Sequence, residues 1–93
     1  MTRVLIVGGA GVFGRRLALG LIETTDAHVI LAGRSLERAQ TAASDVGAAE
    51  AIVLDRETTS AAGVRATRAD LVIDAAGPFQ GANLRFARAV IEA

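Results

Sequence analysis

The residues with the clearest chemical potential are the glycines that follow the first apolar run. Gly9, Gly11 and Gly14 satisfy the pattern G-x-G-x-x-G, and Gly8, Gly11 and Gly14 satisfy G-x-x-G-x-x-G. Glycine tolerates the dihedral angles of a sharp turn and leaves room for a phosphate beside the backbone. A helix start adds N–H groups and a dipole that favour negative charge. We therefore predict a pyrophosphate-binding turn formed by Gly8, Gly9, Ala10, Gly11, Val12, Phe13 and Gly14.

The surroundings of this turn support that interpretation. The apolar run Val4–Val7 predicts a buried strand before it, and the spacing of apolar residues over 12–24 predicts an amphipathic helix after it. A glycine-rich turn without any ligand stays an alternative, because the pattern alone is common. A Walker-type phosphate loop is disfavoured, since the glycine spacing differs and the chain contains no lysine.

The segment after the second apolar run indicates which dinucleotide would bind. NAD-selective sites place an acidic residue there, on the ribose hydroxyls, but residues 31–35 contain no acid. Arg34 could hold a 2′-phosphate in a bidentate contact, Ser35 could add a hydroxyl, and Arg38 lies one turn further. These residues predict NADP, with NAD possible. The alternative is that Arg34 is a solvated loop residue and Ser35 only a helix cap.

Two later strand ends supply the remaining candidate contacts. Asp55 could accept a hydrogen bond from the adenine amino group, or it could cap the next helix. The small residues Ala75, Ala76 and Gly77, with Pro78, would let the backbone approach the nicotinamide half, or they could serve packing alone. Asp74 is interpreted as a structural hydrogen-bond partner rather than an acid catalyst.

No catalytic or metal-binding set is predicted. The chain contains no tyrosine, lysine or cysteine, and its one histidine, His28, is predicted to be a surface residue at a strand start. Hydride transfer belongs to a nicotinamide cofactor itself. Groups for proton transfer and substrate orientation would therefore come from sequence outside this chain.

The elements that must position these residues alternate regularly along the chain. The predicted strands are Val4–Val7, His28–Ala32, Ala51–Leu54 and Leu71–Ala75. The predicted helices span 12–24, 36–46, about 58–67, and from Ala82 onward. Ser35 is the predicted N-cap of the second helix, and Gly47 follows its last residue. The inward residues of the first two helices include Phe13 and Leu36. Strands alternating with helices predict a three-layer α/β Rossmann-type fold, a doubly wound parallel sheet in the order 3-2-1-4 with helices on both faces.

The bulk properties exclude some partners. The formal net charge of +0 gives no electrostatic footprint for nucleic acid or for an anionic membrane. The first apolar run is too short for a signal peptide or a membrane span. We expect a single cytoplasmic domain over residues 1–93. A fourth strand at an open edge, Leu71 to Ile73, would favour a homo-oligomer paired through that edge.

Three segments, residues 4–14, 32–35 and 74–79, together resemble the N-terminal domain of the saccharopine dehydrogenase-like oxidoreductases. The most discriminating part is Ala76-Gly77-Pro78-Phe79. The resemblance implies an NAD(P)-dependent oxidoreductase acting on an amino-acid-derived or related carbonyl–amine substrate, with its substrate domain in sequence missing from this chain. It also implies that Phe79 and Gln80 lie near the nicotinamide. Two alternatives stay open: a non-catalytic, redox-sensing dinucleotide-binding regulator, and a short-chain or extended dehydrogenase truncated before its catalytic residues.

Overall fold

Strands and helices alternate along the described part of the chain. The structure is a computed structural model that describes residues 2–8, 10–55 and 60–75. Its elements are β1 (Arg3–Val7), α1 (Val12–Thr24), β2 (His28–Gly33), α2 (Leu36–Val46), β3 (Glu50–Val53), α3 (Ala61–Ala66) and β4 (Leu71–Asp74). The strand β3 begins and ends one residue earlier than predicted. The helix predicted from Ala82 lies outside the described residues.

All four strands are parallel, and their order is β3-β2-β1-β4. The predicted order is therefore confirmed. The strand β1 lies in the middle, where Val7 pairs with Ala32 of β2 on one side and with Asp74 of β4 on the other. Because consecutive strands run in the same direction, each connection crosses back over a face of the sheet.

The central strands are buried on both faces, which explains their uninterrupted aliphatic sequences. One face packs Leu5, Val7 and Ile30 against α3, whose Val64 is buried. The opposite face packs against α1 and α2 through small side chains, which let the helices lie close to the sheet. Its buried residues are Val4, Ile6, Ala18, Val29, Leu31, Ala42 and Ala43. Helices on both faces are thus confirmed.

Two apolar residues predicted to face the core are exposed instead. The exposed fraction is 65% for Phe13 and 42% for Leu36. Both residues lie in the first turn of a helix that begins after its preceding strand has ended. In those first turns the buried positions are instead Gly14 of α1 and Ala39 of α2, so helical spacing alone places the Phe13 and Leu36 side chains wrongly.

The helix caps follow the sequence closely. The Ser35 side chain accepts a hydrogen bond from the Arg38 N–H, and Gly47 ends α2 in the left-handed conformation at φ 78°. Ser60 caps α3 in the same way, through the Gly63 N–H. The predicted start of α3 near Thr58 falls among residues 56–59, which lie outside the described residues.

The amino ends of the strands carry a cluster of charged residues that pair with one another. The Arg3 guanidinium lies 3.2 Å from the Glu50 carboxylate and donates to the Thr67 carbonyl oxygen at 2.9 Å. The Arg3 backbone N–H donates to Asp70 at 2.8 Å. His28 opens β2 as predicted; its side chain is 25% exposed, and its Nε2 atom lies 2.5 Å from the same Glu50 oxygen.

This cluster lowers the pKa of the Glu50 carboxyl. The hydrogen bond with His28 is the largest cause of this lowering. Partial burial raises the pKa and so opposes it, whereas the positive charge of Arg3 lowers the pKa further.

Within the described ranges, no helix combines the length and the apolar character that a membrane span requires.

Candidate nucleotide site

The carboxyl ends of the four strands bring the predicted site residues to one edge of the sheet. The Gly8 N–H donates to the Ala32 carbonyl at 2.8 Å, and the Ala75 N–H donates to the Val7 carbonyl at 2.8 Å. These bonds continue the strand pairing into the segments that leave the sheet. Across this edge the order is Asp55, Arg34, the glycine turn and Ala75.

The glycine turn leaves β1 sharply and enters α1. Gly8 has a φ of 79°, a conformation that favours glycine, and its carbonyl accepts the Gly11 N–H at 3.1 Å. Gly11 is the N-cap of α1 in an extended conformation and provides no side-chain cap. The first turn of α1 also contains no acidic residue. The first N–H groups of the helix, including those of Val12 and Phe13, therefore have no intrahelical acceptor.

Two further glycines of the motif, Gly14 and Gly11, serve different purposes. Gly14 is buried, so it lets the start of α1 lie against the protein interior. Gly11 is exposed, and a Cβ atom added there would meet the nearest atom, the Gly8 carbonyl oxygen, at an ordinary 3.5 Å. The described part of the protein therefore does not itself require glycine at position 11. Gly9 lies outside the described residues.

Arg34 follows β2 at this edge with an exposed side chain. Within the described ranges, its guanidinium group has neither a hydrogen-bond nor an ion-pair partner. The neighbouring Ser35 Oγ accepts the Arg38 N–H at 3.3 Å, which leaves the hydroxyl proton of Ser35 available for donation. Arg38 is exposed in the first turn of α2, where Glu37 is the acidic residue. Two exposed arginines and a hydroxyl donor thus follow β2, the strand that lies next to β1 and its glycine turn.

The outer parts of the site lie at the ends of β3 and β4. Asp55 and Ala75 are both half-buried at the carboxyl ends of β3 and β4. The choice for Asp55 between adenine contact and helix capping stays a prediction. Ala76, Gly77 and Pro78, together with Phe79 and Gln80, lie outside the described residues.

Sequence reasoning missed one residue that contacts the turn directly. The Arg15 Nε–H donates to the Ala10 carbonyl at 3.1 Å, and its Nη1 atom lies 2.8 Å from the Asp45 carboxylate in α2. In the sequence, Arg15 resembles any arginine on the solvent face of an amphipathic helix. The one available signal was Asp45, an acid in the last turn of α2, where the helix dipole disfavours it.

A buried parallel strand, a tight glycine turn and a helix start without a side-chain cap, inside a βαβ unit, define the class of Rossmann-type dinucleotide-binding domains. Comparison with known proteins identifies the family. Residues 4–93 match the family described as the saccharopine dehydrogenase NADP-binding domain. The chain belongs to this family and is an NADP-binding domain, as predicted.

Solved structures share the fold. A ribose-5-phosphate isomerase from Brucella melitensis is 28% identical with a TM-score of 0.70, over 85% of this chain and 33% of that one. RhlG from Pseudomonas aeruginosa, solved in complex with NADP, is 28% identical with a TM-score of 0.65, over 83% of this chain and 35% of that one. A protein from Aeromonas hydrophila is described as a short-chain dehydrogenase/reductase family oxidoreductase. It is 24% identical with a TM-score of 0.64, over 99% of this chain and 47% of that one.

The chain thus spans between 33% and 47% of the length of these three structures. Among curated proteins, none matches the chain.

Proposed function

We propose that the carboxyl edge of the sheet binds NADP, with the adenosine 2′-phosphate held by Arg34, Ser35 and Arg38. The observation that carries this proposal is the unpartnered Arg34 guanidinium beside a serine whose hydroxyl proton is free. A phosphate would supply the acceptors that these donors lack, and a guanidinium can bind it through two parallel hydrogen bonds. It would also offset the unfavourable position of two cations at the start of α2.

The glycine turn is proposed to hold the pyrophosphate. The first N–H groups of α1 have no intrahelical acceptor, and the helix dipole favours an anion at that position. Gly11 supports the proposal because the described protein has room for a Cβ atom there. A phosphate in contact with the backbone would take up that room. Gly8, Gly9, Ala10, Val12, Phe13 and Gly14 complete the proposed turn.

The two halves of the dinucleotide would extend in opposite directions from this turn. Asp55, beyond Arg34 in the sheet order, is proposed to lie beside the adenine. Ala75, on the other side of β1, is proposed to lie toward the nicotinamide with Ala76, Gly77 and Pro78. This direction follows from the strand order, because ligands cross the carboxyl ends of the strands in such sheets.

We further propose that the whole protein is an NADP-dependent oxidoreductase, in which the bound cofactor supplies or accepts hydride. The family match and the likeness to an NADP complex support this proposal. This domain would contribute binding and orientation of the cofactor. Substrate contacts and proton transfer would come from another domain of the same protein.

Calorimetric titration with NADP, NAD and 2′,5′-ADP tests the binding proposal. We expect NADP to bind more tightly than NAD, and Arg34→Ala to weaken NADP roughly 10- to 100-fold while NAD changes little, because a charged hydrogen-bond pair is lost. Arg68→Ala is the matched control, since Arg68 is also exposed but precedes β4 at the opposite edge. Equal losses of NADP and NAD in Arg34→Ala would contradict the assignment of Arg34.

A further inference from the structure

Arg15 forms two contacts that join separate parts of the nucleotide site. Its Nε–H donates to the Ala10 carbonyl in the glycine turn at 3.1 Å. Its Nη1 atom forms an ion pair of 2.8 Å with Asp45, thirty residues away at the end of α2. The side chain is 37% exposed, so the guanidinium lies at the surface yet is fixed at two points.

One peptide unit of the turn is restrained at both of its ends, and the contact between Arg15 and Ala10 provides one of the two restraints. That unit consists of the Ala10 carbonyl and the Gly11 N–H. The carbonyl accepts from Arg15, and the N–H donates to the Gly8 carbonyl at 3.1 Å. A peptide unit is planar, so two opposed hydrogen bonds fix its orientation. It immediately precedes Val12 and Phe13, whose N–H groups begin the helix.

The contact with Asp45 explains an otherwise unfavourable residue. Asp45 lies in the last turn of α2, where the negative end of the helix dipole opposes a carboxylate. No basic residue is present in that last turn. The nearby charge that compensates Asp45 is the Arg15 guanidinium of α1. The ion pair thus holds the start of α1 against α2, the helix whose other end carries Ser35 and Arg38.

We infer that Arg15 is a positioning residue for pyrophosphate binding: it holds the Ala10–Gly11 peptide so that the N–H groups at the start of α1 are oriented before the dinucleotide arrives. The inference rests on the proposed function of the turn. A preorganised turn loses less conformational freedom on binding and therefore binds more tightly. Arg15 acts through the backbone of the turn.

Arg15→Lys is the decisive variant, because lysine keeps the positive charge but cannot bond both the Ala10 carbonyl and Asp45 in the same geometry. We expect NADP and NAD to bind roughly three- to tenfold more weakly, since a restraining hydrogen bond is lost. Adenosine 2′-monophosphate, which contains no pyrophosphate, should bind as it does to the unchanged protein. Arg16→Lys is the matched control one residue away, on an exposed side chain, and should change none of these affinities.

A second measurement does not depend on any nucleotide. In the ligand-free protein, amide hydrogen exchange at Gly11 should be faster in Arg15→Lys than in Arg16→Lys, because the bond to Gly8 loosens with the peptide. Asp45→Asn should have a smaller effect, up to about twofold on NADP, since the bond to Ala10 is retained.

Three outcomes would overturn the inference. Unchanged NADP affinity in Arg15→Lys would show that only charge matters. Equal losses for NADP and adenosine 2′-monophosphate would indicate general structural damage. Unchanged exchange at Gly11 would show that Arg15 does not restrain the turn. If the unchanged protein binds no nucleotide, the proposed function fails, and the exchange measurement still decides whether Arg15 orders the turn.

Discussion

The two edges of the same parallel sheet treat their polar groups in opposite ways. At the amino edge, Arg3 and His28 both bond to Glu50, and the Arg3 backbone N–H donates to Asp70. At the carboxyl edge, Arg34 has no partner among the described residues, and α1 starts without a side-chain cap. Both edges are similarly polar in sequence. They differ in that the Arg3, His28 and Glu50 side chains are bonded within the protein, whereas the Arg34 guanidinium has no partner among the described residues.

This difference separates stability from binding. Groups that bond within the protein stabilise the fold and have little left to offer a ligand. Among the described residues at the edge where all four strands end, the Arg34 guanidinium and the first N–H groups of α1 remain available to an anion. The comparison predicts that changes at the carboxyl edge reduce nucleotide affinity, whereas changes at the amino edge reduce stability. Three further substitutions, in addition to those at Arg34 and Arg15, test this prediction.

Gly11→Ala should have the largest effect of the three. We expect the affinity for NADP and for NAD to fall roughly 10- to 100-fold, because the added methyl group occupies space next to the backbone that the pyrophosphate needs. The free energy of unfolding should change little, since the new Cβ atom meets the Gly8 carbonyl at an ordinary distance of 3.5 Å. Titration and thermal unfolding measure the two quantities separately.

Gly20→Ala is the control for this change. Gly20 lies on α1 with open space around it, so alanine should raise helix stability by about 0.5–1 kcal/mol without altering affinity. If Gly11→Ala bound NADP normally, the backbone at position 11 would not touch the pyrophosphate, and the proposed turn contacts would be wrong.

Ser35→Ala should have an intermediate effect on both quantities. Loss of the cap on α2 should lower the free energy of unfolding by about 1 kcal/mol. Loss of the spare hydroxyl donor should weaken NADP roughly threefold while NAD is unaffected. Ser60→Ala removes the equivalent cap of α3 and should affect stability alone. Identical NADP affinities in the two variants would limit Ser35 to capping.

Glu50→Gln should have the smallest effect, and it should depend on pH. The pKa of Glu50 is lower in the folded protein than in the unfolded chain, so its ionised form stabilises the fold above the unfolded value and loses that contribution as the pH falls. We expect a loss of up to about 1 kcal/mol near pH 5, a small value because Glu50 is partly exposed, and this loss should shrink as the pH falls through the lowered pKa of Glu50.

Urea unfolding at several pH values measures this difference, with Glu23→Gln on the exposed side of α1 as the control. The NADP affinity should be unchanged in both variants. A large loss of NADP affinity in Glu50→Gln would contradict the prediction that changes at the amino edge affect stability and not binding.

The fold and the inner part of the site could be predicted from local sequence. Val4–Val7 is an uninterrupted aliphatic run, and Ser35 and Gly47 mark the two ends of α2, so these elements follow from short-range rules. The strand order and the carboxyl-edge placement of Arg34 then follow from the rules for parallel sheets. The glycine pattern identifies the turn because its spacing matches a phosphate-binding geometry.

The remaining features depend on long-range geometry that no local rule contains. The contact between Arg15 and Asp45 joins residues thirty positions apart, and neither residue breaks the periodicity of its helix. The pairing of His28 with Glu50 requires the start of β3 to be placed against β2. Phe13 and Leu36 match the apolar spacing of their helices, but their exposure depends on how the start of each helix is oriented on the sheet.

The separation of Arg34 from its neighbour Ser35 has a consequence for how cofactor preference could be changed. Ser35 caps α2, whereas the Arg34 side chain is exposed and forms no hydrogen bond or ion pair within the described residues. An acidic residue at position 34 would therefore meet the ribose hydroxyls of NAD on an unaltered scaffold. If Arg34 holds the 2′-phosphate as proposed, a single substitution at this position is expected to shift the preference toward NAD without removing the cap of α2.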